Sequence, residues 1–182
     1  LSSFWWGKNR QDGRMIEIIR YYLEIKNLND LKVTSKPNQN CVIKKLSPPD
    51  HQLNKFFYKQ IGKHHRWIDR LSWKDINWIE YLKNSGVETH VLTENKNLVG
   101  YYESIYEKKN NELEIAYFGI LEDYREKGYG SYLLSEAIRG YLEKGVKRIW
   151  VHTCTLDHKN AIKNYTSRGM KVFKEDRIKI SA

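Results

Sequence analysis

The sequence predicts an α/β domain, a mixed and largely antiparallel sheet with helices on both faces. Three observations carry that prediction. Past Gly86 the apolar residues recur every second position over 89–93, 98–106 and 113–121, with asparagine turns at 95–97 and 110–111, so three consecutive antiparallel strands are expected. From about 128 to 144 the period changes to helical, with Leu133, Leu134, Ala137, Ile138, Tyr141 and Leu142 on one stripe and Gly145 at its end. Residues 148–153, 159–167 and 170–180 then read as strand, helix ended by Gly169, and terminal strand or hairpin. Strands in a row followed by strand–helix alternation imply a mixed sheet covered by helices.

The earlier elements follow in order. Residues 1–14 mix Trp5 and Trp6 with Gly7, Asn9, Asp12 and Gly13 and show no period; they read as an N-terminal tail before a single domain over 15–182. A β-branched and aromatic run at 16–25 is read as a strand, with a helix as the alternative, and 41–46 as a short strand after a loop at 27–40. Ser47 and Asp50 offer N-caps beside Pro48 and Pro49. Leu53, Phe56, Phe57 and Ile61 follow at helical spacing until Gly62. Ser72 with Asp75 resembles a capping box for a second helix carrying Trp73, Ile76, Ile79 and Leu82.

Composition narrows the function classes. The 182 residues are 40% hydrophobic, 30% charged and 13% aromatic, which argues against wholesale disorder. No apolar run is long enough to cross a bilayer, and the apolar start is too short for a signal-peptide core. Two cysteines, Cys41 and Cys154, make neither a disulfide framework nor a thiolate zinc site, so a reducing cytoplasm is expected. The formal charge of +10 is dispersed rather than blocked. It suits a polyanion or an anionic small molecule and by itself chooses between neither.

The chemistry concentrates in Tyr117-Phe118-Gly119-Ile120-Leu121-Glu122-Asp123-Tyr124-Arg125-Glu126-Lys127-Gly128-Tyr129-Gly130-Ser131. A strand enters a short loop, and Gly128 and Gly130 open a long helix whose first N–H groups are free to bind an anion such as a pyrophosphate. A Walker loop would need Gly-Lys-Ser/Thr, where this chain has Gly130-Ser131-Tyr132; a dinucleotide fingerprint would need a third glycine, where it has Leu133. What remains is Arg125-x-x-Gly128-x-Gly130.

That pattern resembles the acetyl-CoA signature of the GCN5-related N-acetyltransferases, and the likeness runs over about residues 41–180. Glu114 stands eleven residues before Arg125, as in the histone-acetylating branch. Tyr165-Thr166-Ser167-Arg168-Gly169-Met170 is similar to the family's Tyr-x-x-x-Gly-Phe, with Met170 in place of phenylalanine. Leu156-Asp157-His158-Lys159-Asn160-Ala161-Ile162 is similar to the stretch before that tyrosine, with His158 where the family has asparagine. The chain looks like an uncharacterised bacterial branch.

The resemblance implies acetyl-CoA held in a splayed gap between the third strand of the meander and the 148–153 strand. Backbone groups of Phe118 and Ile120 would take the pantetheine, with an N–H near Ile120 polarising the thioester carbonyl. Arg125, Glu126, Lys127, Gly128, Tyr129, Gly130, Ser131 and His158 would hold the rest. It implies transfer to a primary amine. Deprotonating a lysine-type amine at pH 7 costs about 4.6 kcal/mol and an α-amine about 1.4, so a base matters most for the former. Glu114 is the candidate base, directly or through water, the alternative being an ordinary outward strand residue beside Glu112. Tyr165 is the candidate acid for the leaving thiolate, the alternative being a packed core tyrosine.

His152 and Cys154 share a strand face and read as half-buried strand residues. His64, His65 and Asp69 fit no zinc template, so no metal is expected. In the family the loop between the first two helices shapes the acceptor site, which nominates Trp67, Asp69, Arg70 and Trp73; a tryptophan-rich plug is the alternative. The acceptor is expected to be a small-molecule or protein amine, without membrane or nucleic acid, and a homodimer is a further expectation. Two rival readings stay open: a basic module binding RNA or another polyanion, and an inactive CoA-binding partner subunit.

Overall fold

β-Branched and aromatic residues at both ends of the chain build long strands that pair with each other. The computed structural model describes residues 15–181, so the expected tail at 1–14 lies outside the described residues. In order the elements are β1 Met15–Ile25, β2 Cys41–Lys45, α1 His51–Gly62, α2 Asp75–Leu82, β3 Val87–Glu94, β4 Asn97–Glu107, β5 Glu112–Ile120, α3 Tyr129–Glu143, β6 Arg148–Cys154, α4 Ala161–Ser167 and β7 Lys171–Ser181. The strands form one mixed sheet in the order β2-β3-β4-β5-β6-β1-β7. Every neighbouring pair is antiparallel except β5 with β6. No helix among the described residues is long and apolar enough to cross a membrane.

The expected α/β class and the β3–β4–β5 meander are present. The ambiguous run at 16–25 is a strand, and the C-terminal region is one continuous strand rather than a hairpin. β1 lies between β6 and β7, so the first described strand fills a place in the second half of the sheet.

Alternation along the strands feeds two cores, one on each face. Leu23, Leu113, Ile115, Ile120, Ile149 and Val151 meet the Leu133, Leu134, Ala137 and Ile138 stripe of α3 on one face. On the other, Phe57 and Ile61 of α1 meet Val91 and Tyr101, with Phe57 stacked on Tyr101 at 4.8 Å. α1 begins where Asp50 accepts a hydrogen bond from the Leu53 N–H at 3.0 Å. α2 corrects the expected capping box: Asn77 accepts from the Lys74 N–H at 2.9 Å, so the helix starts at Asp75 and Trp73 precedes it. Ile76 consequently faces solvent, while Trp78 and Leu82 form the buried stripe.

Two departures from ideal pairing position the site. Ser104 pairs with Ile115 but Glu103 pairs with Tyr117, so Ala116 is an extra residue that bulges β5. A bulge switches the side-chain alternation and tightens the local twist. Further on, β5 and β6 pair only from Glu112↔Arg148 to Glu114↔Trp150, although both strands continue. Arg148 bonds Glu112 at 3.1 Å and also Glu24, clamping the closed end of this pair. The far end of β6 is turned elsewhere: the Thr153 hydroxyl and the Cys154 N–H both donate to Asp157, at 2.6 and 3.0 Å.

Gly169 closes α4 at φ +100°, and a Cβ there would stand 2.0 Å from the Asp30 carbonyl oxygen. Gly169→Ala should therefore cost about 2–3 kcal/mol and lower the melting temperature by about 5–10 °C. An unchanged thermal melt would contradict this close approach.

Candidate active site

The open side of β5 follows from its pairing. The Leu121 N–H donates to the Val99 carbonyl at 2.8 Å, which makes that a hydrogen-bonded rung of the β4–β5 ladder. Rungs alternate, so Gly119 and Tyr117 also turn their backbone groups toward β4, while Phe118 and Ile120 turn theirs away, into the gap left by β6. The Ile120 carbonyl accepts from Arg125 Nε at 3.2 Å. Gly119 lets α1 come close on the opposite face: a Cβ there would stand 2.5 Å from Ile61 Cγ2.

The gap leads to a glycine-lined loop. Glu126 and Gly128 both have positive φ, +60° and +85°, and Gly128 caps the start of α3. The amides of Tyr129, Gly130 and Ser131 open the helix without intrahelical acceptors. A Cβ on Gly130 would meet nothing nearer than 3.6 Å, so internal packing does not require glycine at 130. Glycine there leaves the main chain open to close approach by a ligand. Arg125 Nη2 and Asn164 Oδ1 are buried with no protein partner. The free N–H groups and Arg125 Nη2 fit a diphosphate; Asn164 Oδ1, an acceptor, does not bond one. Tyr129 contributes backbone rather than side chain here, since its ring is buried in the α3 core and its hydroxyl donates to Glu94. Lys127 folds back onto the Asp123 carbonyl at 2.8 Å.

On the far wall, the Tyr165 ring packs edge-on to Phe118, 6.3 Å between centroids. Burial keeps its hydroxyl protonated well above the usual tyrosine range. His158 accepts from the Asn160 N–H through Nδ1 at 3.2 Å, and its ring meets His65 of the α1–α2 connection at 5.7 Å. Burial, then nearby Arg125, holds both imidazoles below the usual histidine range, His65 at about 4.

The α1 side of the gap holds the second cluster. Because of the bulge at Ala116, Glu114 and Tyr117 share one sheet face. The Tyr117 and Tyr58 hydroxyls both donate to Asp69, the latter at 2.8 Å, and Trp67 packs on Tyr117 at 4.9 Å. Trp67 and Asp69 therefore form one wall. Glu114 has only 12% of its side chain exposed. Burial pushes its carboxyl up to about 7, against a smaller lowering from the Arg70 charge.

Arg70 and Trp73, expected in the acceptor wall, are placed differently. Arg70 is 5% exposed and bonds Glu103, itself fully buried, at 2.9 and 3.3 Å. The guanidinium is enclosed by the rings of Trp73, Tyr81 and Tyr117 at 4.7, 4.2 and 4.3 Å. It is a prop behind the wall, with Trp73 as part of its cage. His64, His65 and Asp69 turn to separate partners: His64 pairs with Glu122 at 3.4 Å, His65 with His158, and Asp69 with the two tyrosines. Among the described residues no three His, Cys, Asp or Glu side chains gather as metal ligands.

Three contributors escape a reading by residue spacing. Period-two alternation puts Tyr117 opposite Glu114, and only the bulge reverses this. Glu103 is the partner of a residue 33 positions earlier. His152, read as a plain strand residue, brings Nε2 to 3.8 Å from Glu114 Oε1. Its place beside β5 could be found only from the strand order.

Residues 51–170 match the model of the Acetyltransferase (GNAT) family. The chain belongs to that family of acetyltransferases. No curated protein matches the sequence. Among solved structures, a GCN5-related N-acetyltransferase from Sphaerobacter thermophilus superposes with a TM-score of 0.67 at 16% identity, covering 91% of this chain and 52% of the other. One from Kribbella flavida gives 0.61 at 14% identity, covering 88% and 57%. An aminoglycoside acetyltransferase from an uncultured soil metagenomic sample, in complex with trehalose, gives 0.60 at 17%, covering 73% and 90%. The chain thus spans about half the length of the Sphaerobacter protein, and at these identities the likeness is one of fold.

The buried ion pair yields a direct test. Arg70→Met should destabilise the protein by about 3–5 kcal/mol, because Glu103 is left charged and alone. Arg70→Met with Glu103→Leu should recover most of that loss. Denaturant melts of the wild type, both single variants and the double variant decide it, and an additive double variant would contradict the pairing.

Proposed function

We propose that this chain is an acetyl-CoA-dependent N-acetyltransferase acting on a primary amine, with Glu114 as base and Tyr165 as acid. The observation that carries this reading is the unpaired β5 edge, with the Gly128–Gly130 cradle at its exit and the buried Glu114 carboxyl where the rungs end. Acetyl-CoA brings an acyl thioester, already activated for attack by an amine. The chain supplies the rest. Amides at the start of α3, with Arg125, hold the diphosphate. Phe118 and Ile120 offer strand-like backbone bonds to the pantetheine, and the Ile120 N–H is directed into the gap, where it can polarise the thioester carbonyl.

The raised basicity of Glu114 suits its role. Moving a proton from a lysine-type amine to an ordinary glutamate is uphill by about 8 kcal/mol, whereas to a carboxylate at about 7 it is uphill by about 5. Tyr165, protonated at all physiological pH, has a proton to give the leaving sulfur. Trp67, Asp69 and Tyr117 present an aromatic and anionic wall that favours a cationic acceptor. An amino sugar belongs in any acceptor screen, since an aminoglycoside acetyltransferase shares this fold.

The test is thiol release from acetyl-CoA with spermidine, kanamycin and a lysine-bearing peptide as acceptors. Acetyl-CoA alone should raise the melting temperature, and an RNA oligonucleotide should not. Failure of acetyl-CoA to do so at millimolar concentration would remove the proposal.

The glutamate has two measurable consequences. Only its ionised form accepts a proton, so kcat/KM should climb with pH and level off above about 7. Glu114→Gln should remove that limb and slow turnover by about 100-fold or more, and Tyr165→Phe should slow it with acetyl-CoA affinity kept. Stability runs the other way. A carboxyl raised from 4.5 to about 7 binds more protons folded than unfolded, so its folded state loses stability as pH rises through that window. Glu114→Gln should therefore melt higher than wild type at pH 8, by on the order of 3 kcal/mol at most, and the advantage should vanish near pH 4. Equal melts at both pH values would contradict the burial cost.

A further inference from the structure

Acetylation of an ammonium group leaves one proton to be exported each turnover. The nitrogen forms a bond to the acyl carbon, the carbon–sulfur bond breaks, and the nitrogen loses two protons. One ends on the thiol and the other reaches solvent. On the reading proposed above, the second is held by Glu114, whose side chain is almost sealed and is sealed further once an amine lies against it. The site needs a way out for it.

We propose that His152 is the relay that carries this proton from Glu114 to solvent. Its Nε2 lies 3.8 Å from Glu114 Oε1, and its own side chain is 40% exposed. The distance closes to a hydrogen bond by a small side-chain rotation. His152 thus touches the sealed carboxyl and opens to water at once, and an imidazole accepts and releases protons near neutral pH. Arg70, the charged neighbour that acts on Glu114 from the α1–α2 connection, is fixed to Glu103 and cannot release a proton. Transfer is balanced: the carboxylic acid gives its proton to the neutral imidazole, and the imidazolium gives one to water, restoring both groups.

The surroundings keep the ring ready. Tyr22 of β1 lies opposite His152 in register, with ring centroids 5.8 Å apart, and Trp150 of the same strand packs at 6.4 Å. His152 is 40% exposed, so water reaches it, while the Tyr22 and Trp150 rings bound it on other sides. That surrounding, with the Arg20 charge from β1, lowers its pKa; Asp157 from the β6–α4 loop and Asp69 from the α1–α2 connection oppose this. The net lowering favours the neutral ring, which is the form able to take a proton.

His152→Gln and His152→Ala, both near the surface, should melt close to wild type. With acetyl-CoA and whichever of spermidine, kanamycin and the lysine-bearing peptide the wild type acetylates, kcat at pH 7 should fall about tenfold while both KM values stay within about twofold. Added imidazole should restore part of the His152→Ala rate and none of the Glu114→Gln rate. An active wild type matched by His152→Gln in kcat and pH profile overturns the relay alone. So does a loss that appears in KM and resists imidazole, since that marks a packing residue. A wild type that stabilises with acetyl-CoA yet acetylates none of the three amines overturns the relay and the catalytic reading together.

Discussion

A parallel strand pair that stops after three rungs leaves main-chain donors and acceptors facing each other across a widening gap, and buried backbone groups do not stay unpartnered without cause. Here the cause is built in at both ends. Arg148, bridging Glu112 and Glu24, pins the closed end, while Asp157 takes up the Thr153 hydroxyl and the Cys154 N–H at the open end. β6 is thereby tied to its own following loop and to β1, and β5 past Glu114 keeps a free edge. Everything assigned to cofactor and acceptor stands along that edge: the glycine cradle at its exit, Tyr165 on one wall, Glu114 where the rungs end.

The second organising feature is the ion pair of Arg70 and Glu103 behind the wall that carries Asp69 and Tyr117. A buried pair of this kind is weak evidence for net stability, because desolvation offsets most of the attraction. Its geometric role is clearer. The guanidinium holds the aromatic rings of Tyr58, Trp78, Tyr81 and Tyr117 around itself, and two of those residues place their hydroxyls on Asp69. A carboxylate held by two phenols loses little freedom on meeting a cation. The positive charge at Arg70 also tempers Glu114, so one residue links the shape of the wall to the basicity of that carboxylate.

Much of the architecture was legible from local pattern. The asparagine turns, the change of period near 128 and the Gly145 and Gly169 stops mark elements that recur in the structure within a few residues. Local rules failed where tertiary contact overrode them. Ile76 and Phe56 keep helical spacing yet face solvent, because α1 and α2 bury Phe57, Tyr58 and Trp78 instead. α2 starts at Asp75 because Lys74, not Ser72, precedes its first turn, with Asn77 accepting from the Lys74 N–H.

By itself, the sequence determined the types of element, the glycine cradle after β5 and the residue classes available to it, because turns, periods and left-handed glycines are local properties of the chain. Tertiary structure decided where β1 inserts, which face Tyr117 takes after the Ala116 bulge, that Arg70 sits behind the wall rather than in it, and that His152 reaches Glu114. Those outcomes depend on strand order, on one extra residue in a ladder and on partners distant along the chain. No spacing rule within a segment encodes such relations.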